Sequence, residues 1–274
     1  MEADLSISHY QRLWLYLYGI VIGSFLLAPI AIIIPMSFSP GDFLEFPPHE
    51  LSLRWYRSFF SSAEWMSATM LSIKVGFLTV LLATPLGIAA AYGLHVAQTP
   101  LSRLIRNILI VPLIVPVIIV AIGVFYLYAK VGLINTVTGL VLAHSVLALP
   151  FVVVVVSAGL QRYDLNQELV ARSLGASRVK AFLTVTLPQI RPSVISASLF
   201  AFITSFDEVV IALFISRGSS STLTRKMFTS LRDQVSPVIA AISTILILIT
   251  VLLAVAMLIA QASQRTNKAG NGDT

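Results

Sequence analysis

The segment "ELVARSLGASRVKAFLTVTLP", residues 168–188, lies between two long apolar runs of the chain. It contains three basic residues and one acidic residue, whereas the whole chain is 57% hydrophobic and only 11% charged. Gly175 stands in its first half, and the pair Leu187-Pro188 ends it. This contrast indicates a polar segment with a turn, lying outside the environment that holds the rest of the chain.

The flanking runs are long enough to cross a bilayer, which takes about 20 apolar helical residues. No Asp, Glu, Lys or Arg occurs between Arg12 and Asp42, or between Asp233 and Arg265. Backbone polar groups in hydrocarbon must be satisfied within each span, which predicts helices. We therefore predict an all-α membrane protein with a single transmembrane domain over residues 1–274. Its six spans are expected at 13–36, 66–94, 106–128, 136–160, 193–215 and 237–261, followed by a polar tail at 262–274.

Several classes of function are excluded by residues that the chain lacks. It contains no Cys, so disulfides and Cys-ligated metals play no part. No G-x-x-x-x-G-K-[ST] phosphate loop occurs, so we expect that the chain does not hydrolyse ATP itself. His49 in "HELSL" lacks the second His of a zinc-binding helix, and no G-x-S-x-G motif is present. No catalytic site, metal site or nucleic-acid partner is predicted, and the first span reads as an uncleaved anchor.

The distribution of basic residues predicts the orientation in the membrane. Six spans place both termini on one side, and loops on the cytoplasmic side are enriched in Lys and Arg. With the termini cytoplasmic, the inner segments carry ten basic residues and the outer segments seven, so we predict that both termini are cytoplasmic. The inner set is Arg12, Arg103, Arg106, Arg162, Arg172, Arg178, Lys180, Arg191, Arg265 and Lys268, and the outer set is Arg54, Arg57, Lys130, Arg217, Arg225, Lys226 and Arg232.

Prolines interrupt the predicted third span, where Pro112 and Pro116 lie one helical turn apart in "VPLIVPVIIVAIG". Each proline removes a backbone hydrogen bond, so this helix is expected to be bent or broken. A bend leaves room for a pathway between helices, and the pair fits a packing role equally well.

The loop at 161–192 combines an apolar stripe with basic residues. Leu169, Val170, Leu174 and Val179 form a partial apolar stripe, and Gly175 allows a turn between two short helices. Such a segment is suited to entering a groove on another protein, with the basic residues fixing its direction. We expect Gly175 to act as a hinge that must lack a side chain.

This loop resembles that of the inner-membrane permease subunits of bacterial ABC importers, which has the form E-A-A-x3-G-x9-I-x-L-P. Gly175 is followed at the same spacing by Val185 and Leu187-Pro188. The acidic position of the motif is occupied by Leu169, and the acid stands one residue earlier, at Glu168. The flanking segments "SLRWYRSFF", "LAHSVLALPF", "SFDEVVIALF" and "SPVIAAISTILI" are similar to the spermidine/putrescine branch, which also serves opines and γ-aminobutyrate.

The resemblance implies a permease subunit that works by alternating access. It would pair with a second homologous permease, usually as a heterodimer, with two cytoplasmic ATPases that act on ATP and Mg, and with a periplasmic binding protein, in a bacterial inner membrane. The chain itself would bind no cofactor. The ATPase-coupling residues would be Glu168, Ala171, Arg172, Leu174, Gly175, Ala176, Arg178, Leu187 and Pro188.

Charged residues inside the predicted spans admit two interpretations. Asp207 and Glu208 in the fifth span and Lys74 in the second lie at similar depth, and charges at depth usually face a partner or a cavity. Lys74 would pair with one acid and join two helices, or an acid would line the solute pathway together with Pro112 and Pro116. Both can hold at once because successive helical residues diverge by about 100°. Polyamine permeases often carry an acid at the position that is Val117 here.

The segment after the fifth span predicts a short amphipathic helix on the outer surface. Leu223, Met227 and Leu231 recur every four residues and form its apolar face. Its basic residues could receive an acidic binding protein or contact lipid headgroups. The proposed docking set is Arg217, Arg225, Lys226 and Arg232.

An ion-coupled secondary transporter or a channel is the alternative function, because kinked spans and buried charges fit it too. It leaves the loop at 161–192 unexplained.

Overall fold

The computed structural model describes residues 13–97, 99–233, 236–252 and 255, and all regular elements in these ranges are helical. The predictions that concern Arg12, the end of the sixth span and the tail 262–274 lie outside the described residues. The helices are α1 (Leu13–Met36), α2 (Arg54–Ser61), α3 (Ala63–Ala97), α4 (Pro100–Ile110), α5 (Val117–Val131), α6 (Val137–Gln161), α7 (Asn166–Ser173), α8 (Arg178–Ala181), α9 (Leu187–Gln189), α10 (Arg191–Phe206), α11 (Val210–Ile215), α12 (Leu223–Asp233) and α13 (Val238–Leu252).

The described residues divide into two compact units, one formed by those up to 62 together with those from 230 onward, and the other by those in the range 63–229. In the first unit the segment after α1 folds back on itself. The Ser37 and Tyr56 hydroxyls are hydrogen-bonded at 2.7 Å, and Arg54 forms an ion pair of 3.0 Å with Asp42. The predicted single domain over 1–274 stays a prediction.

In the second unit α3, α6 and α10 pack against one another and form its core. Small residues permit the close approach, as is typical of helices packed in membranes. A Cβ atom added at Gly87 of α3 would lie 2.5 Å from Val152 Cγ1 of α6, and one added at Gly159 of α6 would lie 2.3 Å from Ser193 Oγ of α10. The backbones of the three helices are therefore in close contact, and α6 and α10 hold the two ends of the loop that joins them.

Two predicted spans are not single helices. The region predicted as span 106–128 divides into α4, a 3-10 turn at Val111–Leu113 and α5, with a bend of 97° at Pro112 and Pro116. This confirms the expected break and corrects the bounds, because two prolines within five residues remove two hydrogen bonds of the helix. Span 193–215 divides into α10 and α11, which was not predicted.

The described residues contain three helices that are long and apolar enough to cross a membrane, α1, α3 and α6, and the bent pair α4–α5 makes a fourth if it is one span. Helix α3 has 35 residues and extends beyond the predicted 66–94 at both ends. The sixth predicted span is described over Val238–Leu252, which forms α13. The chain is a multi-pass helical protein, and the count of six spans stays a prediction.

We expect Gly87→Ala to lower the thermal unfolding midpoint of the detergent-solubilised protein, because overpacking a close helix contact costs roughly 1–3 kcal/mol. Gly93→Ala is the matched control on the same helix, since a Cβ at Gly93 meets no atom within 4 Å. Equal midpoints for the two variants would contradict the close contact between α3 and α6.

Candidate functional site

The loop at 161–192 folds as two short helices that meet at Gly175, as the sequence predicts. Gly175 ends α7 with φ +92°, a backbone conformation that only glycine adopts readily. Its N–H donates to Arg172 O at 3.0 Å, and the N–H of Ala176 donates to Ala171 O at 3.1 Å. A Cβ at Gly175 would meet no atom within 4 Å. Glycine is thus needed here for its backbone conformation, and not, within this chain, for space.

The apolar stripe of this loop is largely exposed. Leu174 is 84% exposed, and Leu169, Val170 and Val179 are more than half exposed. We call these four residues the exposed ridge. Three basic side chains are exposed beside it, whereas two alanines of the motif are half-buried, and Leu187 and Pro188 form the last helical turn before α10. The basic residues are Arg172, Arg178 and Lys180, and the alanines are Ala171 and Ala176.

Glu168 points in the opposite direction, into the chain, and is only 4% exposed. Its Oε1 accepts a hydrogen bond of 2.5 Å from the Tyr92 hydroxyl of α3, and its Oε2 accepts one of 2.7 Å from Thr186. The Tyr163 hydroxyl lies 3.2 Å from Thr186 Oγ1. The Arg178 guanidinium lies 5.8 Å from the centroid of the Tyr92 ring. Contact with Tyr92 and, less strongly, the charge of Glu168 raise the pKa of Arg178.

Sequence reasoning missed Tyr92, Tyr163 and Thr186. Tyr92 lies 76 positions before Glu168, so no local spacing could have linked the two. The apolar surroundings of Thr186 in "TVTLP" offered the only hint, because a buried hydroxyl requires a partner.

The two acidic residues predicted in the fifth span, Asp207 and Glu208, also point in different directions. Glu208 is 7% exposed and occupies the break between α10 and α11. Its carboxylate accepts hydrogen bonds from the N–H groups of Ile211 at 2.7 Å and Ala212 at 3.0 Å, so it caps the N-terminus of α11. Thr224 donates to the Glu208 carbonyl at 3.1 Å. Asp207, one residue earlier, is exposed.

The predicted pairing of Lys74 with an acid of the fifth span is not observed. Within the described residues, no ion pair of 4 Å or less joins Lys74 to Asp207 or to Glu208. Lys74 is exposed on α3. The carboxylate of Glu208 is occupied by the backbone of α11, whereas Asp207, like Lys74, is exposed.

A buried polar network crosses the middle of the bundle instead. His144 of α6 is fully buried, and its Nδ1 lies 2.9 Å from Ser205 Oγ of α10. Ser205 in turn donates to Thr79 Oγ1 of α3 at 3.2 Å, and His144 Nε2 lies 3.6 Å from Glu208 Oε2. His144 thus hydrogen-bonds between helices, and the network joins α3, α6 and α10.

The predicted outer amphipathic segment is helix α12. Lys226 forms an ion pair of 2.6 Å with Glu64 at the start of α3 and lies 5.0 Å from the centroid of the Trp65 ring. The guanidinium of Arg225 contacts the Ser221 hydroxyl. Two of the four residues assigned to docking are thus engaged within this chain, and Arg217 and Arg232 are exposed.

The fold is similar to that of chains in solved ABC transporters. The chain is similar to a chain of a bacterial ABC transporter involved in the import of alginate, with a TM-score of 0.72, 15% identity and coverage of 92% of this chain and 97% of the other. A chain of an amino acid ABC transporter solved with histidines aligns with a TM-score of 0.54 and 20% identity over 77% of this chain and 98% of its own length.

The family is shown by sequence. The model of the binding-protein-dependent transport system inner membrane components matches residues 83–266, about two thirds of the chain, and the chain belongs to this family. A relative is the Haemophilus influenzae spermidine/putrescine transport system permease protein PotC, 29% identical over 86% of this chain and 91% of the relative. Another is the Escherichia coli putrescine transport system permease protein PotI, 31% identical over 82% of both chains. The chain is a membrane permease component, as the sequence predicted.

We expect Glu208→Gln to destabilise the protein and to reduce transport strongly, because an amide presents one acceptor oxygen where the carboxylate presents two. One N–H of α11 is then left buried without a partner, at a cost of roughly 1–3 kcal/mol. Asp207→Asn, at an exposed neighbour, should leave the unfolding midpoint unchanged and act on transport alone. Thermal unfolding and solute uptake measured side by side check this, and equal, mild losses in both variants would contradict it.

Proposed function

We propose that the chain carries a polyamine or a related amine, opine or amino-acid-like compound across the bacterial inner membrane into the cytoplasm. The support is the function of the two relatives, which are permeases for spermidine/putrescine and for putrescine at 29% and 31% identity. Similarity along most of the chain rather than in one segment supports the transfer of this solute class, since the alignments cover at least 82% of this chain.

The exposed ridge is the observation that carries the proposed coupling to ATP. An apolar side chain as exposed as Leu174, 84%, stands on a polar loop where no described residue of this chain covers it. Apolar ridges of this kind bind grooves of partner proteins. A cytoplasmic ATPase subunit is the occupant that fits, with Arg172 and Lys180 at its rim, and ATP and Mg act on that subunit while this chain binds no cofactor.

The proposed assembly contains a second homologous permease, two ATPases and a periplasmic binding protein. A further solved neighbour, a bacterial alginate ABC transporter in complex with a periplasmic protein that holds an alginate pentasaccharide, supports the binding protein as a partner. The bend between α4 and α5 supports the second permease. Ile114, at this bend, is 80% exposed, and non-helical backbone at membrane depth is tolerated only against protein or water.

The proposed solute pathway is placed at the breaks in the helices. Asp207 is the exposed acid beside a helix break, and Pro112 and Pro116 form the other break, so these residues are assigned to the solute pathway with Lys74 as an exposed cation on α3. Discontinuous helices line binding sites in other transporters. The termini are assigned to the cytoplasm, with the exposed Arg217 and Arg232 left to contact the binding protein or lipid headgroups.

Uptake by the complete system tests the solute. The chain is expressed with the products of its neighbouring genes in a strain that lacks polyamine uptake, and labelled putrescine and spermidine are offered alone or against excess γ-aminobutyrate. We expect amine uptake that requires this chain and ATP. Uptake that persists without an ATPase and collapses with an ionophore would favour the ion-coupled alternative.

We expect Leu174→Ser to reduce ATPase co-purification and uptake by roughly tenfold, because burying a leucine at an interface contributes about 1.5–3 kcal/mol. Leu231→Ser, at a half-exposed leucine of α12, is the matched control and should retain the ATPase. Full retention of the ATPase by the Leu174 variant would refute the assignment of the ridge.

A further inference from the structure

Glu168 differs from every other charged residue of α7 and α8. Arg172, Arg178 and Lys180 are exposed, whereas Glu168 is 4% exposed and directed at α3. Burial of a carboxylate is costly unless hydrogen bonds replace its water. Here hydroxyl groups of Tyr92 and Thr186 supply one bond to each carboxylate oxygen. Such charge-assisted bonds are stronger than bonds between neutral groups.

The loop is covalently continuous with α6 and α10 but not with α3. Helix α3 ends at Ala97, and the loop begins only after α6 ends at Gln161. Any movement of the loop therefore reaches α6 and α10 through the chain itself, whereas α3 can follow only through non-covalent contacts.

Helix α3 packs against α6 and α10, but an open groove of about 430 Å³ lies between α8 and the stretch of α3 from Pro85 to Tyr92. Its walls include Pro85 and Ile88 of α3 and Val179 and Leu183 of the loop. Tyr92 spans the gap: its hydroxyl donates to Glu168, its ring centroid lies 4.6 Å from that of Phe182, and the Arg178 guanidinium lies over the ring.

We propose that Glu168, Tyr92 and Thr186 form a carboxylate latch that makes α3 follow the coupling loop. Glu168 is a positioning residue that acts within its own chain and does not contact the partner ATPase. This inference rests on the proposed function, in which the loop is the segment moved by ATP, and it assigns the acid of the shifted motif a role that the exposed ridge does not share.

Cysteine labelling tests the latch directly, since the natural chain has no Cys. Nitroxide labels are placed at Gly93→Cys on α3, where a side chain meets open space, and at the exposed Ser173→Cys on α7. Distances are measured in the purified complex, at rest and with ATP bound. We expect one narrow distribution in both states, because the latch holds the two helices together. In Tyr92→Phe and Glu168→Gln the distribution should broaden when ATP binds.

The functional readout is the number of ATP molecules hydrolysed per solute imported by the reconstituted complex. We expect Tyr92→Phe, which keeps the ring and loses only the hydroxyl, to raise this ratio about threefold or more, the order expected for one lost hydrogen bond. Glu168→Gln should act similarly, and the double variant should be no worse than the worse single one, because both remove the same bond. The ATPase should still co-purify.

Tyr126→Phe is the matched control, since Tyr126 is an exposed tyrosine of α5 away from the loop, and it should change neither readout. The latch would be overturned if Tyr92→Phe left the ratio of ATP to imported solute unchanged and the distance distribution narrow. It would also be overturned if the distance distribution of the natural chain broadened on ATP binding as much as those of the variants. If the natural chain retains no ATPase, the proposed function fails separately. The latch is then judged at rest, where both latch variants must show broader distributions than Tyr126→Phe.

Discussion

A helix can end inside a bilayer only where protein groups satisfy the backbone N–H and C=O groups that it leaves free. The break between α10 and α11 meets this constraint through two side chains, Glu208 and Thr224. Glu208 accepts from two N–H groups of α11, and Thr224 donates to the carbonyls of Phe206 and Glu208. The break is thus a built feature of the fold, and Asp207 is exposed because Glu208 is held inward by the backbone that it caps.

The same separation of neighbouring residues governs the loop at the other end of α10. Successive helical residues diverge by about 100°, so Glu168 and Leu169 cannot face the same surroundings. Glu168 is buried against α3, and Leu169 belongs to the exposed ridge. At both places one residue is bound by its own chain and its neighbour is left for a partner or a solute. The displaced acid of the motif is consistent with this arrangement, because a carboxylate at position 169 would stand on the ridge and would not reach Tyr92.

Local sequence patterns predicted the features that depend on local physics. The bend at Pro112 and Pro116, the turn at Gly175 and the short helix α12 follow from proline, glycine and apolar spacing within a few residues. The break at Asp207–Val209 carries no proline or glycine, and the pair of acids in an apolar span indicated a pathway or an ion pair, not a helix cap. The orientation of these acids depends on contacts with Thr224 and α11 that lie outside the local sequence. Glu208 is hydrogen-bonded to the backbone of α11, and Lys74 is not paired with it. The partners of Glu168 were invisible for the same reason, since Tyr92 is brought near only by the packing of α3 on α6 and α10.

Helix α3 connects these sites. Glu64 at its start binds Lys226 of α12, Ser72 accepts from the N–H of Leu223, Thr79 joins the network of His144, and Tyr92 binds the loop. At about 1.5 Å per residue, the contacts of Glu64 and Tyr92 lie roughly 42 Å apart along one helix.

Pro85 lies between Thr79 and Tyr92 in α3, at a position where the helix lacks one backbone hydrogen bond and bends more easily. A pull along the helix axis passes this point, because the backbone is continuous, whereas a sideways tilt of the Tyr92 end is absorbed there. The direction in which the loop moves therefore decides whether α12 at the far end responds.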